Sequence, residues 1–210
     1  MKKNSLPVFP LLYAAPIEYY ALMVQFDAIL LEKKEHFVKQ SFRNRCEIVG
    51  ANGVLRLSIP THRKGRERTF YDEVKISTED NWNYIHWRGI CTAYRSSPYF
   101  EFYERELEPF FLSPPETLYE LNMSLNSWIM EKLSIEISLS ETEVYSGVHE
   151  IDFRKRFSAK QSPRLEFPRY IQVFEDRTGF ISNLSILDLL FNIGPESKMY
   201  LIEASKKIHY

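Results

Sequence analysis

The amino-acid sequence predicts a mixed α/β fold: a central mixed sheet of about five to six strands flanked by helices, in a single domain spanning residues 1–210. Three observations predict it. Leu55, Leu57 and Ile59 alternate with Arg56 and Ser58 directly after an Asn52-Gly53 turn signal, which is the period of a half-buried strand. Two long segments, from Trp82 to Tyr94 and from Leu118 to Leu133, carry apolar residues at helical spacing. Apolar residues make up 44% and charged residues 26% of a 210-residue chain, enough to bury a core without disulfides or metals.

The elements follow in order. Leu11–Ala15 is a short apolar run and reads as a first buried strand. Pro16 opens a helical pattern through Tyr19, Tyr20, Met23 and Phe26; proline is tolerated there because its missing N–H would have had no partner. Ala28–Leu31 reads as a second strand. Cys46–Pro60 reads as a hairpin whose Asn52 and Gly53 supply the positive φ values of a type I′ turn. Glu73–Ile76 offers another short strand. The helix from about Asp80 places Trp82, Ile85, His86, Gly89, Ile90, Ala93 and Tyr94 on one face, and Ser96-Ser97-Pro98 ends it. Phe100, Tyr103 and Leu107 mark a second helix that Pro109 interrupts or restarts. The next helix has two candidate starts, since Ser113 with Glu116 and Thr117 with Glu120 both have capping-box spacing.

Ile135–Leu139 alternates like a strand, and Tyr170–Phe174 is a further strand candidate. Between them, Tyr145–Pro168 has no period and reads as a surface excursion. The following helix is written at both ends. Ser185 and Asp188 have capping-box spacing, Leu184 and Leu189 that of a hydrophobic staple, and Gly194-Pro195 supplies a stop. A last helix runs from Glu196 to about Lys206.

Charge is near balance at −1, but it is unevenly placed. From Lys39 to Arg68 there are eight basic residues and two acids, a local excess of +6. The Lys39–Arg68 segment makes a nucleic-acid-binding protein one alternative, which balance over the whole chain and the lack of a recognition motif disfavour. Two cysteines, Cys46 and Cys91, read as reduced thiols. The N-terminus lacks the form of a signal peptide, and no apolar run is long enough to span a bilayer, so a cytoplasmic protein is expected. Neither phosphate-binding glycine motif is present, nor the G-x-S-x-G elbow, H-E-x-x-H or C-x-x-C. No metal site and no cofactor are therefore predicted.

The candidate chemistry lies in three segments. Lys39-Gln40-Ser41-Phe42-Arg43-Asn44-Arg45 offers two guanidinium forks and an ammonium suited to phosphate or carboxylate, with Asn44 able to donate and accept. The competing reading is a solvated edge strand. His86 lies on the apolar stripe of its helix and Arg88 off it; a histidine there is either a proton shuttle or a packed core residue. Tyr94 offers a ring for stacking or for packing. Asn183 precedes the capped helix, whose free N–H groups suit an anion. Asp188 serves either the capping box or a general base.

Asn44-Arg45, His86-Trp87-Arg88, Tyr94 with Pro98-Tyr99-Phe100, and above all Asn183-Leu184-Ser185-Ile186-Leu187-Asp188-Leu189-Leu190-Phe191-Asn192 resemble the WbqC-like protein family, from about Leu6 to Gly194. The resemblance implies work in surface-polysaccharide (O-antigen type) biosynthesis on a sugar nucleotide or amino sugar, such as acyl or aminoacyl transfer. A non-catalytic ligand-binding or assembly role in the same pathway stays open beside it. Two departures stand out. Leu12-Tyr13-Ala14-Ala15-Pro16 lacks the glutamine of the family's Gln-Pro-x-Tyr-Phe-Pro opening, and Ser140–Pro168 holds only Gly147 where many members have a glycine-rich stretch. They imply a different ligand or a lost activity.

The expectation to be met by the fold is therefore a shared cleft. Lys39, Arg43, Asn44, Arg45, Arg88, Tyr94 and Asn183 would bind a small anionic ligand such as a sugar nucleotide, and His86 or Asp188 would handle a proton.

Overall fold

A computed structural model describes residues 6–62, 69–158 and 167–208. Arg63, Lys64, Arg66 and Arg68 of the basic segment lie outside the described residues, as does 159–166 of the unpatterned stretch.

The fold is mixed α/β, but its strands do not form one central sheet of five or six. Strands β1 (Val8–Pro10), β2 (Ala28–Glu32) and β5 (Ser138–Glu141) make a three-stranded parallel sheet in the order β1-β2-β5. Strands β3 (Arg45–Gly50) and β4 (Gly53–Ser58) form a separate antiparallel hairpin. Central β2 buries Ile29 and Leu31 completely, and its parallel pairing to β1 is closed by the short helix α1 (Ile17–Met23). Residues 151–153 run along the outer edge of β1, where Val8 N–H donates to the Ile151 carbonyl and Phe153 N–H to that of Val8.

The missing strands have a physical reason. Leu11–Ala15 is buried, but Ala14 takes φ 38° and the backbone bonds outward to Phe42 and Ile186 instead of to a ladder. Glu73–Ile76 leaves a 3₁₀ turn at Tyr71–Glu73 and makes only isolated bridges, Thr61 to Ile76 and Lys75 to Thr117. Tyr170–Phe174 is also not a strand. Its Gln172 side-chain amide accepts from Ile181 N–H at 2.9 Å and donates to the Ile181 carbonyl at 2.9 Å. A side chain thus supplies the pair of bonds that a neighbouring strand would otherwise make. In the hairpin, Gly50 pairs with Gly53, so Ala51 and Asn52 form the loop, and only Gly53 takes a positive φ (107°). The type I′ expectation is corrected accordingly.

The helices follow the apolar periodicity. They are α2 (Trp82–Tyr94), α3 (Phe100–Leu107), α4 (Pro109–Leu112), α5 (Leu118–Lys132), the single turn α6 (Glu175–Thr178), α7 (Ile186–Ile193) and α8 (Ser197–Ser205). Thr117 and Glu120 form the capping box of α5, deciding between the two candidate starts. One continuous hydrophobic cluster joins α1, the sheet, the inner faces of α2, α5 and α7, and Phe153 and Phe157.

Candidate functional site

The residues expected to share a cleft are dispersed. His86 and Asp188 lie in the interior. His86 Nδ1 meets the Tyr13 hydroxyl at 2.9 Å, its ring stacks on that of Tyr13, and it also bonds the backbone of Ser58. Burial lowers its pKa to about 4, so the ring is neutral at pH 7. Asp188 is 0% exposed. Its carboxylate accepts from the Tyr94 hydroxyl (2.8 Å), the Tyr170 hydroxyl (2.5 Å) and the Gln172 amide (2.9 Å). Burial pushes this carboxyl above its usual range, and the three donors oppose that. The capping-box expectation for Asp188 is therefore corrected. Ser185 Oγ accepts from Leu187 N–H and donates to the Ala14 carbonyl, while Asp188 faces the tyrosines. Tyr94 is likewise fully buried, with its hydroxyl committed to Asp188.

Asn183 takes φ 58° and its Oδ1 accepts from Glu18 N–H at 2.8 Å. It thus caps α1, whose own N-cap Pro16 has no side chain to do so. Asn44 donates to the Ile59 carbonyl, and its Oδ1 is buried without a partner, as is Nε of Arg45. Arg88 is exposed on the outer face of α2, in a groove with the hairpin tip.

Lys39 and Arg43 do share a cleft, of about 770 Å³. Its other wall is the segment after the outer edge of β1, with Asp152, Arg154 and Lys155. Sequence reasoning missed this wall, since a charged stretch without periodicity carries no local signal of what it faces. The cleft is built on buried ion pairs. Arg43 Nε donates to Glu35 Oε1 at 2.6 Å. Arg154 donates to Glu32 at 2.9 Å, to Asp152 and to the Ser146 carbonyl, and lies over the Tyr145 ring. Glu32, at the end of β2, is fully buried and also accepts from Thr142 Oγ1 at 2.7 Å. The Arg154 bonds hold the Asp152 carboxyl below its usual range.

Both arginines are thereby held and electrically matched. Glu35 is pushed upward by burial and pulled down by Arg43; burial is the larger effect. Lys39 and Lys155 are exposed, and neither has an ion-pair partner among the described residues. Among the described residues the cleft therefore presents two ammonium groups without ion-pair partners, over a floor in which Arg43 and Arg154 are paired with three carboxylates, Glu35, Glu32 and Asp152. Behind the same wall, Arg156 bonds Glu18, the residue whose N–H Asn183 caps. The Asn183 turn thus braces the cleft from behind without entering it. Among the described residues no group of three or more His, Cys, Asp and Glu is placed to hold a metal ion. Among them, too, no helix is long and apolar enough to cross a membrane.

Comparison with known proteins gives a family. The chain is 26% identical over 211 aligned positions to the uncharacterized protein Rv1507c of Mycobacterium tuberculosis, covering 87% of this chain and 91% of that one. No solved structure matches it. Residues 12–161, well over half of the chain, match the WbqC-like protein family, and the chain belongs to that family.

Proposed function

We propose that the cleft between residues 35–43 and 152–158 binds a small ligand carrying phosphate or carboxylate, such as a sugar nucleotide. In this reading the protein serves surface-polysaccharide biosynthesis of the O-antigen type, as an acyl or aminoacyl transferase or as a binding protein of that pathway. The pathway rests on family membership; the ligand class rests on the cleft. The observation that carries the latter is the pair Lys39 and Lys155, two cations without an ion-pair partner among the described residues, lining one cleft whose arginines are already paired with carboxylates. Lysine offers a strongly hydrated point charge with three donors, suited to phosphate oxygens. His86 and Asp188 take packing roles in this reading, and the titratable side chains that line the cleft include Glu35, buried and paired with Arg43, together with His36 and Asp152. One hydrophobic cluster supports reading the chain as one domain. The nucleic-acid alternative loses ground because Arg43 and Arg56 of the basic segment are paired to Glu35 and Glu47.

The test is a thermal-shift screen with nucleoside diphosphate sugars, nucleoside diphosphates and inorganic phosphate. A ligand at a hundred times its Kd stabilises by about 2.7 kcal/mol. Lys39→Ala and Lys155→Ala should each remove most of the shift while leaving the unliganded melting temperature in place. Shifts that survive the double variant would place the ligand elsewhere.

A further inference from the structure

Helix α2 was expected to bury Ile85 with His86, yet the helix turns Ile85 outward, leaving it 61% exposed. Tyr84 beside it is 56% exposed, and across the groove the hairpin tip shows Val54 at 50% and Leu55 at 40%. These apolar side chains line a single groove of about 790 Å³, with Gly89 letting the Leu55 and Leu57 side chains approach α2. Large apolar side chains gathered in one place on a surface mark an interaction site more often than scattered ones do. Among the described residues strand β4 adds an unpaired edge, since β3 is its one neighbour in the hairpin sheet.

The charges on the groove say what covers it. Asp80 and Arg88 both line it, both are exposed, and neither has an ion-pair partner among the described residues. They stand four positions before and four positions after Tyr84. Arg88 follows Tyr84 by about one turn of α2 and on the same side, while Asp80 lies in the turn that leads into α2, before its first residue, so the two charges flank Tyr84 along the one groove that all three line. A two-fold axis through Tyr84 that sets α2 antiparallel against its copy brings Asp80 of each chain opposite Arg88 of the other. The contact is isologous, and its apolar centre is flanked by two equivalent ion pairs. A groove with one sign of charge would call for a different partner; this one is complementary to itself.

We propose that the groove between α2 and the hairpin tip is the interface of a homodimer, with its axis at Tyr84 and the pairs Asp80 to Arg88 across it. The proposal is independent of the ligand cleft, which lies on other elements.

Sedimentation equilibrium on the full chain at tens of micromolar tests it. The wild type should weigh twice the 25.0 kDa of one chain. Asp80→Lys alone and Arg88→Glu alone should each weaken association by tenfold or more, because each places like charges opposite one another twice. The double swap Asp80→Lys with Arg88→Glu should restore the dimer. Mixing the two single variants should also restore it, as a heterodimer in which both pairs are rebuilt. Ile85→Asp should give a monomer with unchanged circular dichroism. A monomeric wild type overturns the proposal, and so does a dimer indifferent to the single charge reversals.

Discussion

The Tyr13 hydroxyl lies 2.9 Å from Nδ1 of His86, a residue 73 positions away, and the two rings stack in the core. This contact ties the turn after β1 to α2, and the bond from His86 to the Ser58 backbone ties both to the hairpin. A histidine held this way is neutral at pH 7, since protonation would place a charge in the core.

Stability should therefore fall in mild acid. The folded-state pKa of His86 is lowered from 6.5 to about 4, so the unfolded chain binds the extra proton first. The contribution is complete above the unfolded value and is lost as pH drops from there towards about 4, about 3 kcal/mol in all. Asp188, raised in the folded state, acts with the opposite sign: its contribution is present at low pH and lost as pH rises through its folded value. Urea unfolding of the wild type and His86→Gln across this range measures the histidine alone. The gap between them should shrink by about 3 kcal/mol from neutral pH to about pH 4. A constant gap would mean that the ring is not buried as described.

Asp188 should be needed for folding and tolerant of a neutral isostere. Asp188→Ala leaves the hydroxyls of Tyr94 and Tyr170 and the Gln172 amide without their acceptor. The expected cost is about 3–5 kcal/mol in urea unfolding. Asp188→Asn keeps a carbonyl oxygen for the tyrosines and gives up a charge that burial disfavours, so it should cost less than half as much. A larger loss for Asn than for Ala would point to a role for the charge itself.

Arg43 and Lys39, close in sequence, should separate in their effects. Arg43→Ala abandons the Glu35 carboxylate in a buried position and should cost about 3–5 kcal/mol. Replacing both partners, Arg43→Met with Glu35→Gln, should recover most of it. Lys39→Ala touches no ion pair and should stay within about 0.5 kcal/mol of wild type. Chemical denaturation of the four proteins decides this, and equal losses for Arg43→Ala and Lys39→Ala would contradict it.

Gly194 should not accept a side chain. It ends α7 at φ 51°, and a Cβ there would lie 2.5 Å from the Tyr99 ring. Gly194→Ala combines left-handed strain with that overlap and should cost about 2–4 kcal/mol. Tyr99→Ala in the same chain should relieve the overlap and leave the backbone strain, recovering part of the loss relative to Tyr99→Ala alone. Thermal unfolding of the three variants measures both.

What the sequence determined by itself was mostly local. The hairpin could be read from Leu55, Leu57 and Ile59 because a period of two depends only on which face is buried. Helices α2, α5 and α7 could be read from their stripes and end signals, down to Ser185 and Gly194. Mixed class followed from the order of such segments, and the family from the resemblance carried by motifs such as Asn183–Asn192. Tertiary structure decided the rest. Leu11–Ala15 and Tyr170–Phe174 are apolar enough for strands, but pairing depends on what lies alongside: the first bonds to Phe42 and Ile186, and the second reaches the Ile181 backbone through the Gln172 side chain and not through a ladder. Asp188 left its capping box because two phenols and an amide from other segments reached it. Arg43 and Arg45 are two residues apart and chemically alike, yet Glu35 claims one, and the other leaves Nε unpaired. Whether a charge is free to meet a ligand depends on the nearest opposite charge in space, as at Glu32 and Arg154, which lie 122 residues apart along the chain.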